Sequence, residues 1–456
     1  MPSIPTIKVE AIELSPAKRI DRLEFIFERL TPIPKSWYIA KGIGNDGKNE
    51  TSDLECVECK DWDKLIECWN VAMKWTDGLD VALSSMLASV ISTRSLGDQL
   101  WLKIVGPASC GKTTLCEALS TSKKYIYAKS TIRGFHSGFG DGKEDNSLLK
   151  QIQNKTLIIK DGDTLMKSPN IGQILSEARD IYDRVSRTHY RTKAGKDYEG
   201  INLTFLLCGT ASIRSIDSSE LGERFLDCVI MDGIDDEFED AVLWKVVNRA
   251  AREVEFESNG SAETRFSKEE KAVKEMTGGY VNYLRENASL LLGNVYASDK
   301  VKRRCAKLGK FVAFMRARPS REQNETAERE FAARLASLLM RYSMCTAAVL
   351  NKNEVDDEVM RRTTKIALDT ARGITMQIMG WMSQWGEDGV QVASLAKVIN
   401  ISVSDTSKLL RFMAKIGSVV HFIARVKTKN GDVSRKPKWK MSPILENLYH
   451  AIVPKP

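Results

Sequence analysis

The residues from Gly106 to Thr113 carry the clearest chemical signal in this sequence. They read Gly-Pro-Ala-Ser-Cys-Gly-Lys-Thr, with two glycines separated by four residues and followed directly by lysine and threonine. Glycines at these places let backbone N–H groups close around a phosphate chain, while the lysine reaches the outer phosphates and the threonine hydroxyl ligates Mg²⁺. The pattern predicts a loop that binds ATP and Mg²⁺. Its predicted nucleotide contacts are Gly106, Pro107, Ala108, Ser109, Cys110, Gly111, Lys112, Thr113 and Thr114.

Two carboxylates follow the apolar run that begins at Thr156. A second buried strand is expected to end in an acid that holds the metal. Asp161 stands at that place, so we predict Thr113 and Asp161 as the Mg²⁺ ligands. ATPases of this type often carry a glutamate directly after that aspartate, which activates the attacking water. Gly162 stands there instead, and Asp163 is the next carboxylate. Asp163 is therefore a candidate base, and a solvated acid in a turn is the alternative interpretation.

Thr210 and Arg224 are two further candidates for the same reaction. Thr210 follows a third apolar run, where its hydroxyl could hold the attacking water, although ordinary strands also end in threonine. Arg224 lies in the segment Glu-Leu-Gly-Glu-Arg-Phe, after a predicted helix. An arginine at such a place can reach the ATP of a neighbouring subunit and neutralise charge in the transition state. A surface salt bridge is the alternative role for Arg224.

Short apolar runs that alternate with helical segments must position these residues. The runs are LWLKIV, YIYAKS, TLIIKD and LTFLLCG, and a helical pattern follows the first and lies between the last two. Such alternation predicts an α/β fold with a parallel sheet. From about residue 236 the pattern is helical to about residue 380. We predict an N-terminal region over 1–74, a nucleotide-binding core over 75–235, a helical region over 236–378 and a C-terminal module over 379–456.

A β-hairpin is predicted immediately before the run that ends at Thr210. The segment from His189 to Gly200 has two polar, alternating arms around Ala-Gly, with Lys193 and Lys196 at the predicted tip. A lysine-bearing surface turn without further function is the alternative interpretation.

Taken in order, these parts resemble the AAA+ ATPases of the pre-sensor-1 hairpin group. The stretches GDQLWLKIVGPASCGKTTL, IKDGDTLM, ILSEARDIYD, GTASI and LGERFL look like phage- and mobile-element-encoded relatives of minichromosome-maintenance helicases. The resemblance covers about residues 75–375. It implies that six subunits form a ring, a hexamer, and that ATP binds between neighbouring subunits. It also implies that Lys193 and Lys196 grip single-stranded DNA in the channel of the ring.

The resemblance extends, more loosely, into the helical region. There FMRARPSRE and the run that begins ARLASLLMRYS resemble the helical lid that follows such a core. A lid of this kind usually contributes a second arginine to the nucleotide. Arg334 is the first candidate for that role, and Arg329 is the second.

The C-terminal module is predicted to be a reader of duplex DNA. Two short helices, the second capped by Ser404 and ended by Gly417, precede two strands around an Asn-Gly turn. The arrangement resembles a winged helix; such domains also serve as protein-interaction modules. From residue 381 to the end there are 12 Lys and Arg but 5 Asp and Glu. Two groups of basic residues are the predicted DNA contacts. The first lies on one face of the second helix and comprises Lys408, Arg411 and Lys415. The second comprises Lys427 and Lys429 in the predicted wing, whose other basic residues are Arg425, Arg435, Lys436, Lys438 and Lys440.

Composition limits the remaining classes of protein. The chain has 456 residues, 43% of them apolar, and no apolar run reaches the ~18 residues that span a bilayer. The sequence has no secretory signal pattern, and its nine cysteines are scattered. We therefore expect a protein of the cytoplasm with reduced cysteines and no membrane partner. If a phage encodes the protein, the cytoplasm is that of its bacterial host. Cys56, Cys59 and Cys68 could form part of a zinc site, but no fourth ligand is evident.

The predicted function is an ATP-driven DNA helicase or translocase in the replication of a phage or mobile element. One alternative is a nucleotide-switched initiator or helicase loader that does not unwind DNA. The glycine after Asp161 slightly favours this switch, because slow hydrolysis suits it. A second alternative is a transcription regulator in which the nucleotide only controls assembly.

Overall fold

The computed structural model describes most of the chain beyond residue 53. The described residues are 54–136, 147–189, 195–215, 221, 224–230, 247, 268–317, 331–371, 373–427 and 433–453. No helix in these ranges has the length and apolar character needed to cross a bilayer.

A five-stranded parallel sheet forms the centre of the predicted nucleotide-binding core. Its strands lie in the order β2-β3-β6-β1-β7, and every neighbouring pair is parallel. The residues of β1, β6 and β7 are all buried, as expected for strands covered on both faces. The predicted α/β class with a parallel sheet is confirmed. The strands are β1 (Trp101–Val105), β2 (Ile126–Lys129), β3 (Lys155–Ile159), β6 (Leu203–Gly209) and β7 (Phe225–Val229).

Helices cover both faces of this sheet. On one face the helix α2 is buried along nearly its whole length, and Leu83, Met86 and Leu87 are fully buried between the sheet and the helical region. The core helices are α1 (Trp62–Ala72), α2 (Asp77–Ser92), α3 (Lys112–Ser120), α4 (Leu148–Ile152), α5 (Gly162–Met166) and α6 (Ile171–Tyr182), and a 3-10 turn covers Ala211–Ser215.

A separate two-stranded antiparallel hairpin precedes β6. Its strands are β4 (Val185–His189) and β5 (Gly195–Glu199). The predicted hairpin is therefore present, but it begins four residues earlier than expected. Lys196 lies within β5, opposite Thr188, and not at the tip, because the first strand starts directly after α6. Lys193 lies outside the described residues.

The helical region packs against the sheet edge and against α2. Its helices are α7 (Lys268–Glu286), α8 (Ala288–Gly293), α9 (Asp299–Arg316), α10 (Ala333–Val349), α11 (Asp357–Thr370) and α12 (Ile374–Trp385). The end of α11 caps the free edge of β7: Asp369 Oδ2 accepts a hydrogen bond from Val229 N at 2.8 Å, and Thr370 Oγ1 accepts one from Asp227 N at 3.0 Å. Since an uncovered edge invites pairing with other chains, these side chains close the sheet on this side.

The C-terminal module contains the predicted helices and hairpin. A 3-10 turn (Gly386–Asp388) leads to α13 (Val392–Ile399), α14 (Val403–Lys415), β8 (Val419–Lys427), β9 (Val433–Met441) and α15 (Pro443–Ile452). The boundary predicted at 378/379 falls inside α12, so one continuous helix joins this module to the helical region. On the far side, α15 packs on α9, with 6.3 Å between the ring centroids of Tyr449 and Phe311.

The start of α14 corrects one sequence prediction. Ser402, and not Ser404, is the N-cap: it has an extended backbone, and its Oγ accepts a hydrogen bond from Asp405 N at 3.0 Å. Ser404 lies within the first turn of the helix. The predicted end is confirmed, since the helix stops at Lys415 and Gly417 takes a φ of +79°.

Candidate functional site

The loop after β1 has the shape required to enclose a phosphate. It runs from Gly106 to Gly111, between a buried strand and the helix α3 that begins at Lys112. Gly111 has a φ of +91°, and a Cβ at that position would lie 2.9 Å from Leu79 Cδ2. Ser109 also adopts a positive φ of +62°. The loop therefore turns its backbone toward the N-terminus of α3, where the helix dipole and free N–H groups favour an anion.

Lys112 closes the loop through its ammonium group. Nζ donates to the carbonyl of Gly106 at 2.7 Å and to the carbonyl of Pro107, and it lies 3.5 Å from Cys110 Sγ. These carbonyl oxygens are weak substitutes for phosphate oxygens, which carry full negative charge. A bound nucleotide would therefore draw the ammonium away from them.

Asp161 lies at the predicted place, directly beyond β3. Its carboxylate is exposed and caps α5, accepting hydrogen bonds from Thr164 N at 2.9 Å and from the Thr164 hydroxyl. Within the described residues, no hydrogen bond joins Asp161 to Thr113. The predicted pair of metal ligands is thus not in direct contact, and Asp161 would have to exchange its Thr164 partners, or act through a water, to hold Mg²⁺.

Asp163 and Thr210 form a tight contact that neither pattern alone revealed. Asp163 Oδ1 accepts a hydrogen bond from the Thr210 hydroxyl at 2.9 Å, and Asp163 Oδ2 accepts one from Thr210 N at 3.0 Å. The hydroxyl of Ser212 also donates to Asp163. Burial would raise the pKa of Asp163, but these hydrogen bonds and the nearby charge of Lys112 outweigh it, and the pKa lies below its ordinary value. Asp163 is therefore an ionised carboxylate on the side of the phosphate-binding loop.

The crowding around Gly162 explains why no carboxylate follows Asp161 directly. A Cβ at Gly162 would lie 2.9 Å from Cys208 O, from Leu207 Cδ1 and from Ile213 Cγ2. The position points into packed backbone and side chains of β6 and the turn after it. A glutamate there would collide, whereas Asp163 lies one residue further on.

The topology explains how these residues meet. The strand β6 lies between β1 and β3, so its carboxyl end lies between the loop after β1 and the acids after β3. Lys112, Thr210 and Asp163 thus converge at one end of the sheet, as expected at the carboxyl edge of a parallel sheet. Ser212 joins this set through its hydrogen bond to Asp163, and no sequence pattern singled it out.

The residues present fit a nucleotide with Mg²⁺. The loop offers helix N–H groups, an ammonium and the Thr113 hydroxyl, and Asp161 is solvent-accessible at the same end of the sheet. Mg²⁺ bound with a triphosphate takes one or two protein ligands and completes its shell with phosphate and water. A dedicated cluster is not needed, and the described residues contain no group of three His, Cys, Asp or Glu side chains that could hold a metal.

The turn before α2 and the first turn of α2 border the same site. Met73 Cε lies 3.6 Å, and Leu79 Cδ2 2.9 Å, from the position of a Cβ on Gly111. Trp75, in the same turn, is half-buried and stacks on Trp69 with 5.0 Å between ring centroids. An apolar surface of this kind suits a purine base, and the sequence analysis did not identify it.

Arg224 lies at the opposite end of the sheet. Trp101 and Phe225 pair at the first residues of β1 and β7, so Arg224 precedes the sheet at the end away from the loop. Four strand steps of ~3.3 Å separate the two ends by about 13 Å. The guanidinium is buried, forms an ion pair with Asp183 at 3.0 Å and lies over the ring of Tyr182 at 5.3 Å.

Arg334 shares an electrostatic partner with Arg224. Burial raises the pKa of the Tyr182 hydroxyl, and the charges of Arg334, Arg224 and Arg341 oppose that rise. Arg341 donates to the carbonyl of Leu96, in the turn before β1. The two arginines predicted to act on nucleotide thus share one end of the molecule, and Arg329, the second candidate, lies outside the described residues.

The basic residues of the C-terminal module have different surroundings. Arg411 and Lys415 are exposed on α14, and Lys408, also exposed, forms an ion pair with Asp405 at 3.5 Å. On the hairpin, Lys438 donates to Asp388 O at 2.8 Å and Lys440 pairs with Glu387. The exposed wing residues Arg425 and Arg435 face each other across the strands. The backbone of Lys427 ends β8, and Lys429 lies outside the described residues.

The possible zinc ligands do not form a site. Cys56 Sγ donates to Thr121 O at 3.5 Å, and Cys59 Sγ donates to Asp61 O at 3.6 Å. Burial raises the pKa of each of the thiols of Cys56, Cys59 and Cys68 to about 11. Neutral thiols that are buried, as those of Cys59 and Cys68 are, or half-buried, as that of Cys56 is, pack as apolar groups.

No protein-family model and no curated protein matches this chain, so the assignment of its function rests on the sequence and on the geometry of this site.

Proposed function

We propose that this protein is an ATPase that drives DNA translocation or unwinding as a ring of identical subunits. The observation that carries the proposal is the convergence of Lys112, Asp163 and Thr210 at one end of the sheet, with Arg224 and Arg334 at the other. An arginine at the far end cannot reach the nucleotide of its own chain. If Arg224 acts on ATP, that ATP belongs to a neighbouring subunit, and a ring provides every subunit with such a neighbour.

Each residue has a distinct role in the proposed reaction. The loop and Lys112 bind and orient the phosphates, and Mg²⁺ supplies charge neutralisation of the phosphate oxygens when it is bound through Thr113 and Asp161. Asp163 accepts a proton from the attacking water, which the hydroxyl of Thr210 helps to orient. Arg224 of the adjacent subunit, released from Asp183, stabilises the charge that develops. Arg334, beside Arg224, would act at the same nucleotide.

The helical region and the C-terminal module fit the resemblance to an AAA+ lid and a winged helix. Two helices joined by a short turn, followed by a two-stranded hairpin, match the element order of a winged helix. Arg411 and Lys415 are free to contact phosphates, and the opposed Arg425 and Arg435 repel each other unless an anion lies between them. We propose that this module holds duplex DNA, and that the β4–β5 hairpin contacts the strand in the channel.

The contact between Asp163 and Thr210 also bears on the alternative of a nucleotide switch. That alternative was favoured by the lack of a carboxylate directly after Asp161. Asp163 provides a carboxylate beside Lys112, which supports turnover and therefore a motor. A transcription regulator has no specific observation in its favour.

An unwinding assay on a forked duplex with Mg²⁺-ATP tests the proposal. The wild type is expected to hydrolyse ATP faster with DNA and to separate the strands, and Lys112→Ala is expected to lose both activities. Lys150→Ala, which removes an exposed lysine of α4, serves as the matched control and keeps both. The proposal of a DNA motor would be contradicted if DNA did not accelerate ATP hydrolysis by the wild type and the duplex stayed intact.

Nucleotide binding can be followed separately through Trp75. If the base lies against the turn at residues 73–79, binding of ADP changes the fluorescence of Trp75. The signal should disappear in Trp75→Phe, while nucleotide affinity falls only modestly. An unchanged nucleotide response in Trp75→Phe would place the base elsewhere.

A further inference from the structure

The β4–β5 hairpin has little to hold it by itself. It shares no strand pairing with the five-stranded sheet, and an isolated two-stranded hairpin is marginally stable in water. Its described cross-strand ion pair, Arg187 to Glu199 at 3.3 Å, is exposed and therefore contributes little. The orientation of the hairpin must come from contacts with the rest of the core.

His136 provides such a contact on one face of the hairpin. A hydrogen bond of 2.8 Å joins His136 Nε2 and Ser186 Oγ, and the imidazole lies 5.6 Å, centroid to centroid, from the ring of Tyr198. Ser186 and Tyr198 are directly opposite each other in the two strands. A single side chain therefore touches both strands at the base of the hairpin, and Ser186 is buried beneath it.

The backbone that carries His136 is itself fixed to the core. Phe135 is fully buried, its N–H donates to Glu177 Oε2 at 2.9 Å, and its carbonyl accepts from Leu149 N at 3.3 Å. Glu177 is buried on α6, where Gln173 donates to its other oxygen at 2.8 Å. His136 thus extends from a segment anchored between α6 and α4.

We propose that His136 is a positioning residue that sets the angle of the β4–β5 hairpin to the sheet, and so places the hairpin for contact with DNA. The part that concerns DNA rests on the proposed function. The part that concerns docking rests on the contacts of His136 with Ser186 and Tyr198 alone. His136 contacts the base of the hairpin through Ser186 and Tyr198, so its effect on DNA contact is exerted through the orientation of the hairpin.

Hydrogen exchange and DNA titration of full-length variants test the two parts together. His136→Ala should speed amide exchange in β4 and β5 and leave β1 and β6 protected. It should also raise the DNA concentration that half-stimulates ATP hydrolysis by about fivefold, the equivalent of one hydrogen bond of ~1 kcal/mol. Turnover without DNA should not change. His136→Gln keeps a polar group near the position of Nε2 and should restore much of both properties.

Two further variants make the result decisive. Ser186→Ala removes the same hydrogen bond from the side of the hairpin with little change in volume, and it should reproduce His136→Ala even if the latter folds poorly. Glu199→Gln removes the exposed ion pair and should behave as wild type.

Unchanged exchange in β4 and β5 for both His136→Ala and Ser186→Ala would overturn the docking role. Faster exchange with an unchanged half-stimulating DNA concentration would overturn the link to DNA. A wild type whose hydrolysis ignores DNA would instead contradict the proposed function, and the exchange data would still decide whether His136 positions the hairpin.

Discussion

At the scale of single residues, the site depends on a carboxylate two positions after Asp161. Gly162 has no room for a side chain, while Asp163 is held by Thr210 and Ser212 beside Lys112. The N-terminus of α5 thus supplies two acids: Asp161, which faces solvent, and Asp163, which faces the loop. Their different surroundings imply different roles, which substitution can separate.

Asp163→Asn is expected to lower the turnover of ATP by about 10²-fold or more, because it removes the proposed general base. Nucleotide affinity should change little, since Lys112 and the loop remain. Steady-state hydrolysis and a nucleotide-binding titration measure the two quantities. Asp180→Asn removes an exposed carboxylate from α6 and is the control. Full turnover in Asp163→Asn would return Asp163 to the role of a structural acid.

The pKa of Asp163 gives an expectation for pH. Because the folded protein holds this pKa below its ordinary value, the carboxylate stays ionised at neutral pH and stabilises the folded state there. That contribution is complete above the ordinary pKa and is lost as the pH falls through the lowered one. In Asp163→Asn, stability measured by urea unfolding should therefore depend less on pH in the acidic range than it does in the wild type.

Gly162→Ala is expected to destabilise the folded protein by about 1–3 kcal/mol, the usual cost of overpacking. The added methyl group would lie 2.9 Å from Cys208 O, which is backbone and cannot easily move. Gly172→Ala is the matched control, because a Cβ at Gly172 meets nothing within 4 Å and alanine favours a helix. Chemical denaturation of the two variants gives the comparison, and equal stability would show that Gly162 is not crowded.

At the scale of elements, the sequence predicted those parts that local patterns encode. The alternation of apolar runs and helices predicted the parallel sheet, and the glycine spacing predicted the loop between β1 and α3. Local patterns could not show that Asp163 meets Thr210, because that contact depends on β6 lying between β1 and β3. Local patterns also could not place Lys196 within β5, because its position in the hairpin depends on where α6 ends. They could not identify Ser402 as the N-cap of α14, because Ser402 and Ser404 both fit the capping pattern.

Ser402→Ala is expected to cost about 1 kcal/mol of stability, because it leaves the N–H of Asp405 without its cap. Ser404→Ala should cost less than half of that, since alanine is the better helix former within the first turn. Thermal or urea unfolding of the two variants decides between the serines. A larger loss for Ser404→Ala would restore the capping role that the sequence suggested for it.

At the scale of the whole molecule, the loop and Arg224 lie at opposite ends of one sheet. A subunit placed head to tail on another would bring its Arg224 end to the nucleotide of its neighbour, and a closed set of such contacts is a ring. The side chains of Leu96 and Phe331 are 92% and 82% exposed. The carbonyl of Leu96 accepts a hydrogen bond from Arg341, and Phe331 precedes Arg334 by three residues, so that end also offers apolar area to a partner.

Mixing two inactive variants tests this arrangement. Arg224→Ala and Lys112→Ala should each lose about 10³-fold or more of ATP turnover when pure. When mixed, an intact loop from the first can meet an intact Arg224 from the second, and part of the activity should return. Arg303→Ala, an exposed arginine of α9, is the control. No recovery in mixed oligomers would argue that Arg224 does not act on a neighbour's nucleotide and only supports the fold through Asp183.

The buried ammonium of Lys274 has a mechanical consequence. It bridges Glu117 of α3 at 2.9 Å and Glu270 of α7 at 3.0 Å, and at the far end of α7 Glu286 binds Lys124, just beyond α3, at 2.9 Å. This helix has 19 residues and is about 28 Å long, and it is thus joined at its second turn and at its last residue to α3 and the residues just beyond it. Because α7 is joined to this segment at two places, we expect a displacement of α3 to move α7, and the elements packed against it, as one body.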